Sequence, residues 1–171
     1  MREKLRRWSK RSLWILPIVL ALYLTVMGVD FAWYRSHVPV RFRDSNWKGH
    51  WQTHRFLGLR GRLLALLPDP LPEGVDFKAE ALVYYPVYSV WRTGQFVRMD
   101  FTGHFRPETP SSGGQTTNAI PSGSGMMKFK AIVGNQVVEY AALLDDSRTS
   151  VVGGYLSRAP DDFGHFTLTR H

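Results

Sequence analysis

The sequence predicts an all-β domain hung from one apolar helix: an N-terminal transmembrane segment, then a small antiparallel meander closing into a barrel of seven or eight strands. Three observations carry this. Residues 12–29, SLWILPIVLALYLTVMGV, contain no charge. Most of the remaining chain consists of short β-prone runs separated by turn residues. At 171 residues, 44% hydrophobic and 21% charged, the chain supports one ordinary domain and is neither disordered nor collagen-like. It has no cysteine, which excludes disulfide frameworks, thiolate metal sites, iron–sulfur clusters and cysteine nucleophiles.

The uncharged stretch is about 27 Å long as a helix. With Phe31, Trp33 and Tyr34 after Asp30 it matches a hydrocarbon core of about 30 Å. Trp14 at one end and these aromatics at the other suit interfacial belts, and Pro17 falls in the first turns, where a missing N–H costs least. Asp30 lies at the boundary and is assigned no role. A cleaved signal peptide is the competing reading, but the apolar stretch is too long and no A-x-A-like site is present. The expected organisation is a basic N-terminus over 1–11, a transmembrane helix over 12–34, a linker over 35–46 and a β domain over 47–171.

Charge is distributed unevenly. Of the net +8, residues 1–11 carry +5 and residues 35–62 carry +6, whereas residues 63–171 carry −2. Arg6, Arg7, Lys10 and Arg11 on one side, with Arg41 and Arg43 on the other, are expected at the membrane interfaces, where each basic side chain contributes about 1 kcal/mol against anionic headgroups. Six basic residues before the span against four just after it favour a cytoplasmic N-terminus and a periplasmic or other extracytoplasmic domain. The folded region itself has no basic excess, so nucleic acid is not an expected partner.

Along the β domain, residues 49–67 are expected to add one or two strands, although LLALLP at 63–68 also suits a short helix. FKAEALVYY at 77–85 and VYSVW at 87–91 read as strands flanking Pro86. The clearest strand is 96–105, with Val97, Met99, Phe101, Gly103 and Phe105 on one face and Arg98, Asp100, Thr102 and His104 on the other. Residues 127–133 and 136–144 flank Gly134-Asn135, a tight-hairpin signal, with Val138, Tyr140, Ala142 and Leu144 on the buried side. DDSR at 145–148 and APDDFG at 159–164 read as turns bounding 151–157, and 165–170 closes the chain. Gly153-Gly154 reads as a bulge or barrel corner. Residues 107–125, rich in Ser, Thr, Gly and Pro, are expected to form a mobile loop. Closure into a barrel removes the edges that an open sheet or sandwich, the alternatives, would leave.

Phe42, Asp44, Trp47, Gly49 and Trp51 in FRDSNWKGHW resemble the first-strand signature of lipocalins and the wider calycin superfamily. That resemblance implies a barrel whose opening Trp packs against a basic residue from its last strand, here Arg170. Gly49, Trp51 and Arg170 are then barrel-closure residues, the glycine allowing close backbone approach and the indole–guanidinium stack contributing about 1–2 kcal/mol.

No catalytic, metal or cofactor constellation emerges. His50 and His54 have zinc-ligand spacing only on a helix; on a strand they stand about 13 Å apart. His104 and His165 could meet across strands, with Asp100 on the face of His104, but nothing nominates a site there. The acidic pairs Asp145-Asp146 and Asp161-Asp162 read as turn chemistry, since neighbouring carboxylates point apart. The aromatic cluster Tyr84, Tyr85, Tyr88, Trp91 and Phe96 is the candidate surface for a ligand or partner. The favoured expectation is a non-enzymatic accessory subunit of a larger membrane complex, its β domain docking on other membrane-protein subunits. The alternative is a membrane-tethered lipocalin-like barrel binding a lipid or other hydrophobic ligand.

Overall fold

The computed structural model describes residues 2–54, 59–89, 93–107, 125–133, 136–145, 147–158 and 161–171. Two helices, α1 (Arg2–His37) and α2 (Val40–Arg43), precede eight strands: β1 (Trp47–Thr53), β2 (Arg60–Leu66), β3 (Asp76–Tyr85), β4 (Gln95–Pro107), β5 (Gly125–Val133), β6 (Gln136–Leu144), β7 (Ser150–Arg158) and β8 (Asp161–Arg170). The strands pair in sequence order, all antiparallel, and β8 returns to β1 through the register Trp47↔Arg170 to Thr53↔Gly164. The sheet is therefore a closed up-and-down barrel, and closure leaves no edge strand. Within α1, Ile15–His37 is long and apolar enough to cross a membrane, with a mean hydropathy of 2.1.

Period-two alternation sends the apolar set inward. Leu63 and Ala65 of β2, Phe77 to Val83 at alternate positions of β3, and Phe105, Phe129, Ala142, Leu144, Val151, Phe166 and Leu168 form one interior cluster. The ambiguous 63–68 segment is strand through Leu66, because its outward residues have a surface to cover: Leu64 and Leu82 lie under Val38 and Phe42. The loop after β2 turns across the near end of the barrel, where Leu67 and Leu71 join the interior cluster and Gly74 donates to the Phe105 carbonyl at 2.9 Å.

Several expectations require correction. Val87 and Tyr88 do not begin a strand. The chain turns after Pro86, whose carbonyl accepts from Ser89 N–H at 2.9 Å and Gly94 N–H at 3.2 Å, and Gly94 supplies a positive φ of 59°. Gly153-Gly154 is not a bulge, since the β7 register runs unbroken against both neighbours. A side chain at Gly153 would strike Ala142 and Phe166, so the glycine makes room for a core ring. Asp161 to Gly164 belong to β8 rather than a turn, because pairing with β7 extends to Arg158↔Asp161. The 145–148 turn is present, with Arg148 donating to the Asp145 carbonyl at 3.0 Å. The 134–135 turn, Asp146, Trp91 and residues 108–124 of the expected mobile loop lie outside the described residues.

The segment expected to be a linker is largely packed. Residues 35–37 are the last turn of α1, and Val38 and Phe42 are buried against Leu64 and Leu82 with Tyr34, Leu66 and Phe96 around them. Burying side chains of this size stabilises the contact by about 1.5–3 kcal/mol each. From Asp30 to Phe42 the chain passes along the outside of β2 and β3, from their Tyr84 end toward Leu82 and Leu66. Residues 15–29 of α1 consequently run on past the rim that carries the β3–β4 turn, about 22 Å of helix with almost all its side chains exposed.

Candidate functional site

The barrel interior is graded along its axis. At the end where β1 begins and β8 finishes, Trp47, Phe105, Met127, Leu144 and Val151 are almost wholly buried, Phe105 and Met127 at 0% exposure. The opposite rim is lined by apolar side chains that are only partly buried: Leu59, Tyr85, Val97, Met99, Phe101, Tyr140 and Tyr155. An eight-stranded barrel has room either for its own side chains or for one small ligand, and this one is filled at one end and incompletely covered at the other. Tyr140 stands in the incompletely covered part, its ring 6.2 Å from Tyr155 and its hydroxyl 3.8 Å from the Met99 sulfur. Burial, with Tyr85 nearby, pushes its phenol up to about 12.

Trp51 separates the two zones. Its indole lies across Gly61 of the neighbouring strand, donates to the Tyr84 carbonyl at 3.2 Å and meets the Tyr85 ring at 4.9 Å. Gly49 is required by close approach, because a Cβ there would come within 1.7 Å of the Thr167 carbonyl oxygen. Arg170 does not stack on Trp51. It is paired with Trp47, four residues away along β1, while Trp51 is opposite Phe166, and its guanidinium forms an ion pair with Asp69.

The aromatic cluster splits because neighbours on a strand face opposite ways. Tyr85 points inward beside Trp51, while Tyr84 and Phe96 point outward and hold α1, with ring separations of 5.1 and 5.9 Å from Tyr34. Tyr88 is exposed on the rim. The residue that organises this junction is Asp30, only 6% exposed, whose carboxylate accepts from the Tyr84 hydroxyl at 2.8 Å and the Val87 N–H at 2.9 Å. Burial, reinforced by that bond, pushes the Tyr84 phenol far above the ordinary tyrosine value. Trp33 adds a bond from its indole N–H to the Gly94 carbonyl at 2.8 Å. Sequence reasoning passed over Asp30, although a lone carboxylate at the end of an uncharged span is the available signal.

Of the basic residues expected at membrane interfaces, Arg41 forms an ion pair with Glu80, which also meets Arg98 at 3.1 Å, and Arg43 donates to the Val38 carbonyl at 3.3 Å. The side chains of Arg6, Arg7, Lys10 and Arg11 lie outside the described residues. His50 and His54 do not converge. His54 instead has its Nε2 3.2 Å from His165 Nδ1 at the rim, and His104 meets Asp76 at 2.8 Å rather than Asp100. Among the described residues no group of three His, Asp or Glu side chains is placed to hold a metal ion.

Fold and interior together define a closed eight-stranded antiparallel barrel with a half-covered apolar end, clasped by a helix apolar enough to span a bilayer. No protein-family model, curated protein or solved structure matches the chain.

Proposed function

We propose that this protein is a single-pass, membrane-tethered barrel that receives the apolar part of a lipid, or another hydrophobic molecule, in the incompletely covered end of its interior, as the lipocalin-like opening suggests. One observation carries the reading: the apolar side chains Tyr85, Val97, Met99, Phe101, Tyr140 and Tyr155 are left partly exposed beside an otherwise buried apolar interior. Leaving such surface to water costs about 25 cal/mol per Å², and a hydrophobic guest removes that cost. The path of α1 supports the same reading. With Ile15–Val29 in the bilayer, the half-covered rim stands on the membrane side, and a guest enters without crossing much water. The charge bias across the span supports a cytoplasmic N-terminus with the barrel on the opposite face.

The test is photo-crosslinking in the protein's own membranes. A benzoyl-phenylalanine at Val97 should capture a lipid or small hydrophobic molecule, whereas one at Val152, on the outer wall of β7, should not capture the same molecule. Equal capture at both positions, or none at Val97, refutes the proposal.

A second reading, an accessory subunit docking on other membrane proteins, is favoured by a separate feature. Leu143 of β6 is opposite Met126 of β5 on one side and Val152 of β7 on the other, and the three form an exposed apolar row on the outer wall. A partner covering that row would be lost on Leu143→Glu, read by co-purification.

A further inference from the structure

The last turns of α1 and the outer faces of β8, β1 and β2 enclose a cleft of about 340 Å³. Unlike the barrel interior, it gathers charged and polar side chains. The walls carry Lys48, His50, Arg62, Thr167, Thr169 and His171, with Tyr34, Gly49 and Leu64 beside them, and no Asp or Glu side chain lines it. The register explains the gathering. His50 is opposite Arg62 on one side and Thr167 on the other, while Lys48, two residues along the same outward face, is opposite Thr169. Two fixed positive charges, the His50 imidazole and two hydroxyls thus project from adjacent rungs of three neighbouring strands, with His171 following the end of β8.

The Asp30 carboxylate, which shares Tyr84 as a neighbour with Arg62, is taken up by the Tyr84 hydroxyl and the Val87 N–H. Arg41, Arg98, Arg148 and Arg170 each have a carboxylate partner, but among the described residues neither Lys48 nor Arg62 does. Arg62 is held instead by aromatic faces, its guanidinium carbon 4.1 Å from the Tyr34 ring centre and 5.4 Å from that of Phe31. Such stacking fixes the direction of the guanidinium while leaving its N–H groups free of a counter-charge. Cations gathered without a directly paired acid repel one another, and an anion with several acceptor oxygens relieves that repulsion while accepting from lysine, guanidinium, imidazole and hydroxyl donors.

We propose that this cleft is a binding site for a phosphate group. Phe31 and Tyr34 close the apolar part of α1, so Arg62 sits at the depth of headgroup phosphates when the helix spans a bilayer, and a phospholipid headgroup is the source this depth favours. The depth argument rests on the membrane-spanning reading of α1 and is independent of any guest inside the barrel.

The test uses the full chain in phosphatidylcholine nanodiscs, titrated in one arm with phosphatidic acid and in another with inorganic phosphate. The reporter is the His50 imidazole NMR signal, assigned by its loss in His50→Gln. Saturable shifts with phosphatidic acid are expected, weakened roughly tenfold by Lys48→Gln, the loss of one charge-assisted contact. Lys130→Gln should leave them unchanged, since Lys130 pairs with Glu139 on a distant stretch of wall. Saturation by inorganic phosphate alone supports the phosphate site but makes a soluble phosphate compound its source, the result expected if α1 does not place the cleft at a membrane. No saturable shift in either arm, or binding indifferent to Lys48→Gln, overturns the proposal.

Discussion

Replacing Asp30 with alanine tests how the helix is held. The Asp30 carboxylate accepts two bonds, from Tyr84 Oη at 2.8 Å and Val87 N at 2.9 Å, and Tyr84 is 1% exposed. Each bond to a charged acceptor contributes about 1.5 kcal/mol at the lower end of the usual range, and neither donor finds water easily once the acceptor is removed. Asp30→Ala should therefore weaken the docking of α1 by about 3 kcal/mol, roughly a hundredfold in the docked-to-undocked ratio. Asp30→Asn retains an acceptor oxygen and should cost about 1 kcal/mol. Tyr84→Phe removes one bond and should cost about 1.5 kcal/mol. The assay is amide exchange at Val87 in the full chain in nanodiscs, because that N–H is itself one of the donors. A double-mutant cycle between Asp30→Ala and Tyr84→Phe should give a coupling of about 1.5 kcal/mol. Unchanged Val87 exchange in Asp30→Ala, or zero coupling, would refute the claim that this carboxylate fastens the helix to the barrel.

Gly49→Ala forces a methyl group into the Thr167 carbonyl; separating β1 from β8 should cost about 3 kcal/mol and lower the melting temperature by roughly 10 °C. Tyr140 is pushed up to about 12, above an ordinary value of about 10. Its contribution is complete below the unfolded value and lost as pH rises through the folded one, so alkaline unfolding should begin between these limits and move to higher pH in Tyr140→Phe. At Asp145 desolvation acts upward, but bonds from Ser147, Ser150 and Thr149 outweigh it and hold the carboxyl below its ordinary value. Its contribution is present above the unfolded value and lost as pH falls through the folded one. Acid titration of stability should therefore be shallower in Asp145→Asn, which loses stability at neutral pH.

The barrel was legible because its strands alternate. Val97 to Phe105 and Val138 to Leu144 place their apolar members inside, as period-two reading requires. The same rule misled at Val87 and Tyr88, which follow a proline that ends the ladder, while Gly94 completes a turn. It misled also at Gly153, because the need for space beside Phe166 depends on a register formed far away in the chain. Gly49 was legible locally, since its motif implies close backbone approach. Arg170 was not, because its position relative to Trp51 depends on four residues of strand register and on a carboxylate, Asp69, from another loop. The helix–barrel junction and the basic cleft were hidden for the same reason. Asp30 meets Tyr84, and Lys48 and His50 gather with Arg62 and Thr169, only after the barrel closes.

The central claim is that the half-covered interior holds a hydrophobic guest. The decisive experiment is native mass spectrometry of the full-length protein extracted gently from its own membranes, beside a Met99→Trp variant that sets a larger ring next to Tyr140. The wild-type barrel should carry a reproducible small adduct that is absent from the variant. A wild-type protein that is consistently bare, or an adduct that survives Met99→Trp, contradicts it.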